Sequence, residues 1–204
     1  MKKTEFTKTA IINSTVKLLK ANGKVTIKEI SDDAGVNIAA INYHFTDKKS
    51  LISVVIRRTI SDFKKIADNL VASLAELNTH HEETISALFN ACHEYCAENI
   101  NVINFMLAPE NVEYNNYFNK TVSQMFSTDS DLCFKVISYM RATSAASDNE
   151  LKARYLVLLS TFLTPFFSTF NILNGNHFGQ IFNLNDQEFK KLYIEQIVRI
   201  IKSK

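Results

Sequence analysis

Between Thr26 and Leu51 the chain reads TIKEISDDAGVNIAAINYHFTDKKSL, and the side chains able to do chemistry there suit an anion. Tyr43, His44 and Lys48 fall within six residues and each can donate a hydrogen bond or a charge to a phosphate oxygen. Asn37, Ile38, Ala39, Ala40 and Asn42 precede or interleave with them. They are small, apolar or amide-bearing groups that allow close approach to a nucleic-acid groove and can touch base edges. Thr26 adds a hydroxyl where a helix is expected to begin. Recognition of double-stranded DNA is the chemistry such a set can perform.

Those side chains need short elements to aim them. Thr26 and Glu29 have the T-x-x-E spacing of a capping box, which predicts a helix from Ile27. Ile27, Ile30 and Ala34 recur at helical spacing, and Gly35 offers the positive-φ position of a tight turn. Asn37 is placed to cap a second helix over Ile38–His44, with Ile41 and Phe45 directed back onto Ile30 and Ala34. Two helices on a glycine turn make a helix-turn-helix. Asp47 is expected to cap a third helix with Lys48 in its first turn. A lysine there opposes the helix dipole unless an anion is present.

The segment resembles the DNA-binding end of the tetracycline-repressor (TetR) family of bacterial transcription regulators. The likeness rests on Ile11, Ile12, Val16, Leu18, Leu19 and Gly23 upstream, then Thr26, Ile30, Ala34, Gly35, Val36, Tyr43, Phe45, Lys48 and Leu51. The chain departs from the common pattern at Asn42, where tyrosine is frequent, and at Ala39, where glycine is. The resemblance implies that Thr26, Tyr43, His44 and Lys48 grip phosphates while Asn37, Ile38, Ala39, Ala40 and Asn42 face bases. It also implies a three-helix head on a larger helical body, and a homodimer whose last two helices pair with their copies, matching a two-half-site operator.

Composition supports an all-α protein: 204 residues contain four glycines and two prolines, and no hairpin signal occurs. Residues 1–65 hold 13 Lys/Arg against 6 Asp/Glu, whereas the remainder holds 10 against 15, so the basic end fits a polyanion and the acidic end does not. No signal peptide is recognisable, which makes the cytoplasm the expected location. Capping pairs at Thr79/Glu82, Ser147/Glu150 and Asn185/Glu188 divide the rest. They predict a connecting helix from Lys48 to about Leu74, then helices near 80–99, 101–107, 111–126, 130–144, 148–173 and 186–202. Nine or ten helices result, organised as a DNA-binding domain over 1–47 and a sensing and dimerisation domain over 48–204.

Tyr155 to Asn185 contains no Asp, Glu, Lys or Arg, and its helical part is apolar on nearly every face. Burial on two sides is expected, in the subunit core and in a dimer interface that includes Leu158, Phe162, Phe166, Phe170, Ile197 and Ile201. A membrane span is the competing reading, opposed by Ser160, Thr161, Thr164, Pro165, Ser168 and Thr169 within the run.

Cys92, His93 and Cys96 form a C-H-x-x-C cluster that could hold a metal or sense redox state. Yet Ile85, Leu88, Phe89, Cys92 and Cys96 lie along one apolar stripe, no fourth ligand is evident, and core packing is the favoured reading, with no metal or cofactor expected. Phe89, Cys92, Cys96, Phe105, Tyr117, Phe118 and Tyr139 are candidates to line a pocket for a small, mostly apolar effector of unknown identity. No nucleophile elbow, phosphate loop, dinucleotide fingerprint or spaced carboxylate pair argues for an enzyme. The sequence thus reads as a ligand-released, dimeric DNA-binding repressor. The alternative is a constitutive or partner-controlled helical DNA-binding protein.

Overall fold

The computed structural model describes residues 3–76, 81–125, 127, 129–169 and 186–202. Among them are ten α-helices: α1 Lys3–Asn22, α2 Ile27–Ala34, α3 Ile38–Phe45, α4 Lys48–Glu76, α5 His81–Glu98, α6 Ile100–Leu107, α7 Val112–Met125, α8 Asp131–Thr143, α9 Asp148–Thr169 and α10 Gln187–Lys202. A short 3-10 turn, Pro109–Asn111, separates α6 from α7.

Several helices begin where polar caps satisfy the first free amides. The capping box of α2 forms in both directions between Thr26 and Glu29. Ser147 accepts from the Glu150 amide at the start of α9. For α10 the expected cap needs correction: Asp186, not Asn185, accepts from the amides of Glu188 and Phe189 at 2.9 and 3.1 Å. Asn185, like Thr79, lies outside the described residues.

The chain divides into two compact units, Met1–Asp62 with Glu98–Phe118, and Phe63–Ala97 with Asn119–Lys204. The first unit buries Ile11, Leu19, Ile30, Ile41, Leu51, Ile52 and Val55 together with Val102 and Met106 of α6 and Tyr114 of α7. Thus α6 and the start of α7 belong to the same core as α1 to α3. Asn101 makes the attachment specific. Its Nδ2 donates to the carbonyls of Lys20 at 2.8 Å and Ala21 at 3.3 Å, groups that the end of α1 leaves without helical partners.

The second unit buries Ile85, Phe89, Met140, Leu151, Tyr155, Leu158, Leu159, Ile194, Ile197 and Ile201. Pro165 sits inside α9 and cannot donate to the carbonyl one turn back, that of Thr161. Tyr193 of α10 supplies the missing donor, its hydroxyl lying 2.7 Å from that carbonyl. Burial raises the Tyr193 phenol above its usual 10.0, so it remains a donor at neutral pH. Among the described residues no helix is long and apolar enough to cross a membrane.

This pairing yields a double-mutant test. Tyr193→Phe should cost about 1–3 kcal/mol in urea unfolding, because the Thr161 carbonyl loses its donor. In a Pro165→Ala background residue 165 regains its amide hydrogen, and the same change should cost markedly less. Equal costs in the two backgrounds would show that the two features are uncoupled.

Candidate nucleic-acid interface

An eight-residue helix has too few internal hydrogen bonds to persist alone, so α3 must be held from outside. Ile41 is fully buried and Phe45 nearly so, in the core shared with Ile11, Leu19 and Ile30. The turn before α3 is fastened twice. Gly35 adopts φ 64°, and its amide meets the carbonyls of Asp32 and Ser31. Ser31 Oγ donates to the Val36 carbonyl at 2.5 Å, and the Val36 amide returns a bond to the Ser31 carbonyl. Asn37 then caps α3, its Oδ1 accepting from the Ala40 amide at 2.7 Å.

With that face anchored, the opposite face of α3 is presented outward. Tyr43 is 80% exposed and Ile38 47%. Ala39 and Asn42 are exposed; Ala40 and His44 are half-exposed. The Tyr43 and His44 rings meet edge to face, with centroids 5.2 Å apart, and the His44 ring lies 6.2 Å from that of Phe45. This outward face carries no carboxylate. It offers two small residues where a backbone could approach closely, an amide for base edges, and a phenol and an imidazole for phosphate oxygens.

The passage from α3 to α4 is unusually tight. Thr46 has φ 62° and ψ −53°, and the Asp47 amide bonds back to the Phe45 carbonyl at 2.5 Å, closing a γ-turn of the rare positive-φ kind. Among the described residues Thr46 is the non-glycine position with positive φ. No sequence signal announced it, since a β-branched residue is a poor candidate for that conformation. Asp47 caps α4 through the Ser50 amide at 2.7 Å, and the hydrogen bonds from Ser50 hold its carboxyl below the usual 3.8. Lys48 follows, exposed, in the first turn.

Two of the expected roles are altered by this geometry. Thr26 spends its donors internally: its amide and hydroxyl reach Glu29 Oε2 at 2.7 and 2.8 Å. The capping box outcompetes an outside anion for these groups, so a phosphate grip through Thr26 requires breaking it. The carboxyl of Glu29 is held below its usual 4.5 chiefly by the Thr26 hydroxyl, with smaller effects from Lys24 and Lys48. Those two lysines flank the start of α2, and Lys24 is a basic neighbour that motif spacing did not single out. Asn37 Oδ1 likewise accepts a capping bond in α3, which leaves the Nδ2 of this exposed amide as its donor.

The seven side chains expected to line one pocket are divided between the two units. Phe89 packs on Phe162 and Tyr193 in the second unit, where Tyr139 joins the same core. Cys92 and Cys96 are buried, and desolvation pushes both thiols up to about 12, keeping them neutral. Burial is also the first cause that lowers His93, with Lys190 adding to it. Phe105, Tyr117 and Phe118 belong to the first unit. Phe105 meets Tyr114 at a tilt, Phe118 packs on the core, and Tyr117 lies under the Arg57 guanidinium at 5.6 Å. A cleft among the described residues of the second unit, about 140 Å³, is lined by polar Glu82, Ser86, Asn90, Gln187, Lys190 and Lys191 with Ile194, and shares no residue with the expected set.

The expected interface residues also need correction. Leu158, Ile197 and Ile201 are buried inside their own subunit and have almost no surface left for a partner, while Phe162 packs against that core. Phe170 and the Phe166 side chain lie outside the described residues. Among the described residues of α9 and α10, Leu156 is 52% exposed, Val157 47% and Leu192 51%. A helix apolar on all sides gave no sign of which side turned inward.

Comparison with known proteins agrees with this geometry. Residues 11–55 match the family model described as bacterial regulatory proteins, tetR family. The matched segment runs from α1 into α4 and contains the whole of α2, the turn and α3. Through this segment the chain is similar to the DNA-binding end of that family of regulators. A candidate TetR-family transcriptional regulator from Mesorhizobium loti MAFF303099 has a similar structure, at TM-score 0.71 and 14% identity, covering 98% of both chains. A candidate fatty acid metabolism regulator from Clostridium perfringens follows at TM-score 0.51 and 16% identity, over 96% of this chain and 98% of that one. The TetR-family regulator PfmR from Thermus thermophilus aligns at TM-score 0.50 and 12% identity, over 94% and 97%. At these identities the likeness is one of fold. No curated protein matches the chain significantly in sequence.

Proposed function

We propose that the protein is a homodimeric, cytoplasmic transcriptional repressor that reads a two-half-site operator with α3 and is released by a small, mostly apolar effector. The observation that carries the DNA reading is the outward face of α3: exposed, free of carboxylates, and held by Ile41 and Phe45 in a packed core. Tyr43, His44 and Lys48 grip phosphates. Ile38, Ala39, Ala40 and Asn42 face bases. The functional division falls after residue 47, with sensing and dimerisation in 48–204.

Dimerisation gives two copies of α3 the separation of one helical turn of DNA, about 34 Å. We assign the interface to the outward apolar residues Leu156 and Val157 of α9 and Leu192 of α10. Effector control needs no refolding. A ligand that favours a dimer with mismatched reading helices lowers DNA affinity, and DNA must lower ligand affinity by the same factor. The unbroken run of α4 from Lys48 to Glu76 supports such coupling, because it joins the phosphate-gripping end to residues of the second unit.

Four measurements test these assignments. Selection of bound genomic fragments should yield an operator, and changes at Asn42 should alter which fragments are selected. Lys48→Ala should weaken operator and random DNA alike and lower the salt slope by about 0.9 per subunit; an unchanged slope removes Lys48 from the contact surface. Leu156→Glu with Leu192→Glu should yield a folded monomer in sedimentation, since each carboxylate would be buried without a partner at the interface. A persistent dimer places the interface elsewhere. Hydrophobic metabolites screened by thermal shift should include one that both stabilises the protein and releases the operator. A compound that stabilises without releasing DNA points to constitutive or partner-controlled regulation instead.

A further inference from the structure

Not all lysines of the first unit are available to a new anion. Lys17 is paired with Asp33, and Lys49 is paired with Glu113 of α7. Lys8 of α1 is exposed and is placed differently, its ammonium lying 6.0 Å from the ring centroid of Phe45. Phe45 is the last residue of α3. Its ring neighbours that of His44 at 6.2 Å, which neighbours that of Tyr43 at 5.2 Å. The Lys8 ammonium therefore stands at one end of a short chain of rings whose other end is the exposed Tyr43.

We propose that Lys8 is a further phosphate-gripping residue of the DNA surface, on α1 rather than on the helix-turn-helix, and that Lys49, although next to Lys48, is not one. This rests on the DNA-binding reading above and adds a contact from a different element. The physical reason is competition. At 6.0 Å a cation sits near the outer limit of attraction to an aromatic ring, and in an exposed position that attraction is weak. A phosphate offers the same ammonium a full opposite charge, and only its flexible stem has to turn. Lys49 would have to leave a carboxylate to make the same contact, exchanging one anion for another with little net gain. Lys8 and Phe45 also tie the contact to the position of α3, so that an ammonium following the end of α3 reaches a phosphate adjoining those held by Tyr43 and His44.

The test uses the intact protein and a mixed-sequence DNA duplex long enough for two half-sites, because phosphate contacts do not depend on sequence. Binding is titrated against salt for the wild type, Lys8→Gln, Lys8→Arg, Lys49→Gln and Lys48→Ala. Lys8→Gln should reduce the slope of log affinity against log salt by about 0.9 per subunit, as Lys48→Ala does, Lys8→Arg should restore it, and Lys49→Gln should leave it unchanged. Glutamine keeps the first two methylenes of the stem and removes the charge, and a melting temperature measured alongside separates packing from charge. If Lys48→Ala lowers the slope and Lys8→Gln does not, Lys8 is no phosphate contact while the DNA reading stands. A loss of affinity for Lys8→Gln that tracks melting temperature at constant slope likewise overturns the proposal. A slope that falls for Lys49→Gln as much as for Lys8→Gln refutes the discrimination between them. If the wild type itself binds the duplex without salt dependence, the DNA reading fails together with this inference.

Discussion

The burial of Ile41 and Phe45 beneath the reading helix is the constraint on which the rest of the head depends. A helix of eight residues has no independent stability, and its direction is set by the two side chains it commits to the core. Once they are buried, the 3.6-residue period leaves Asn42 and Tyr43 no place but outside. The same burial explains why the unit needs more than three helices. Val102 and Met106 of α6 and Tyr114 of α7 complete the core that receives Ile41 and Phe45, and the Asn101 amide fastens α6 to the end of α1. A core built from α1 to α3 alone would be small for the surface it must bury.

Polar satisfaction, more than helix propensity, decides where the elements stop and what remains free for function. Thr26, Ser31, Asn37 and Asp47 each give their oxygen chemistry to a neighbouring backbone or cap. A side chain engaged in this way must share or break its internal bond to meet an outside ligand through the same atom, as Thr26 and Asn37 would. The ion pairs sort the lysines by the same logic, neutralising Lys17 and Lys49. The γ-turn at Thr46 then fixes the step from the reading helix to Lys48 with a single residue between Phe45 and Asp47.

In the second unit the governing detail is the kink-prone α9. Pro165 frees a carbonyl within a packed environment, and Tyr193 answers from the facing helix, so the pair of helices is specified by a directional bond as well as by apolar area. The residues that flank this bond, Leu158, Leu159, Ile194 and Ile197, are consumed by the subunit core. Among the described residues of α9 and α10, Leu156, Val157 and Leu192 stay exposed.

The all-helical class, the positions of most helix starts and the turn at Gly35 were legible in the sequence, because caps, glycine and hydrophobic period act over three to four residues. The outward set on α3 was legible for the same reason: fixing Ile41 and Phe45 inward assigns every other position of a short helix. Nothing local distinguished Asp186 from Asn185 as a cap, since both side chains can accept from the same amides and only the helix start decides between them. Still less could spacing tell which of Leu156 and Leu158 faces the core, or that Phe89 and Phe105 belong to different units. A charge-free helix has no polar face to orient it, and two aromatic residues sixteen positions apart carry no record of their neighbours. Those outcomes depend on which distant side chains fill a given space, and the tertiary structure alone decided them.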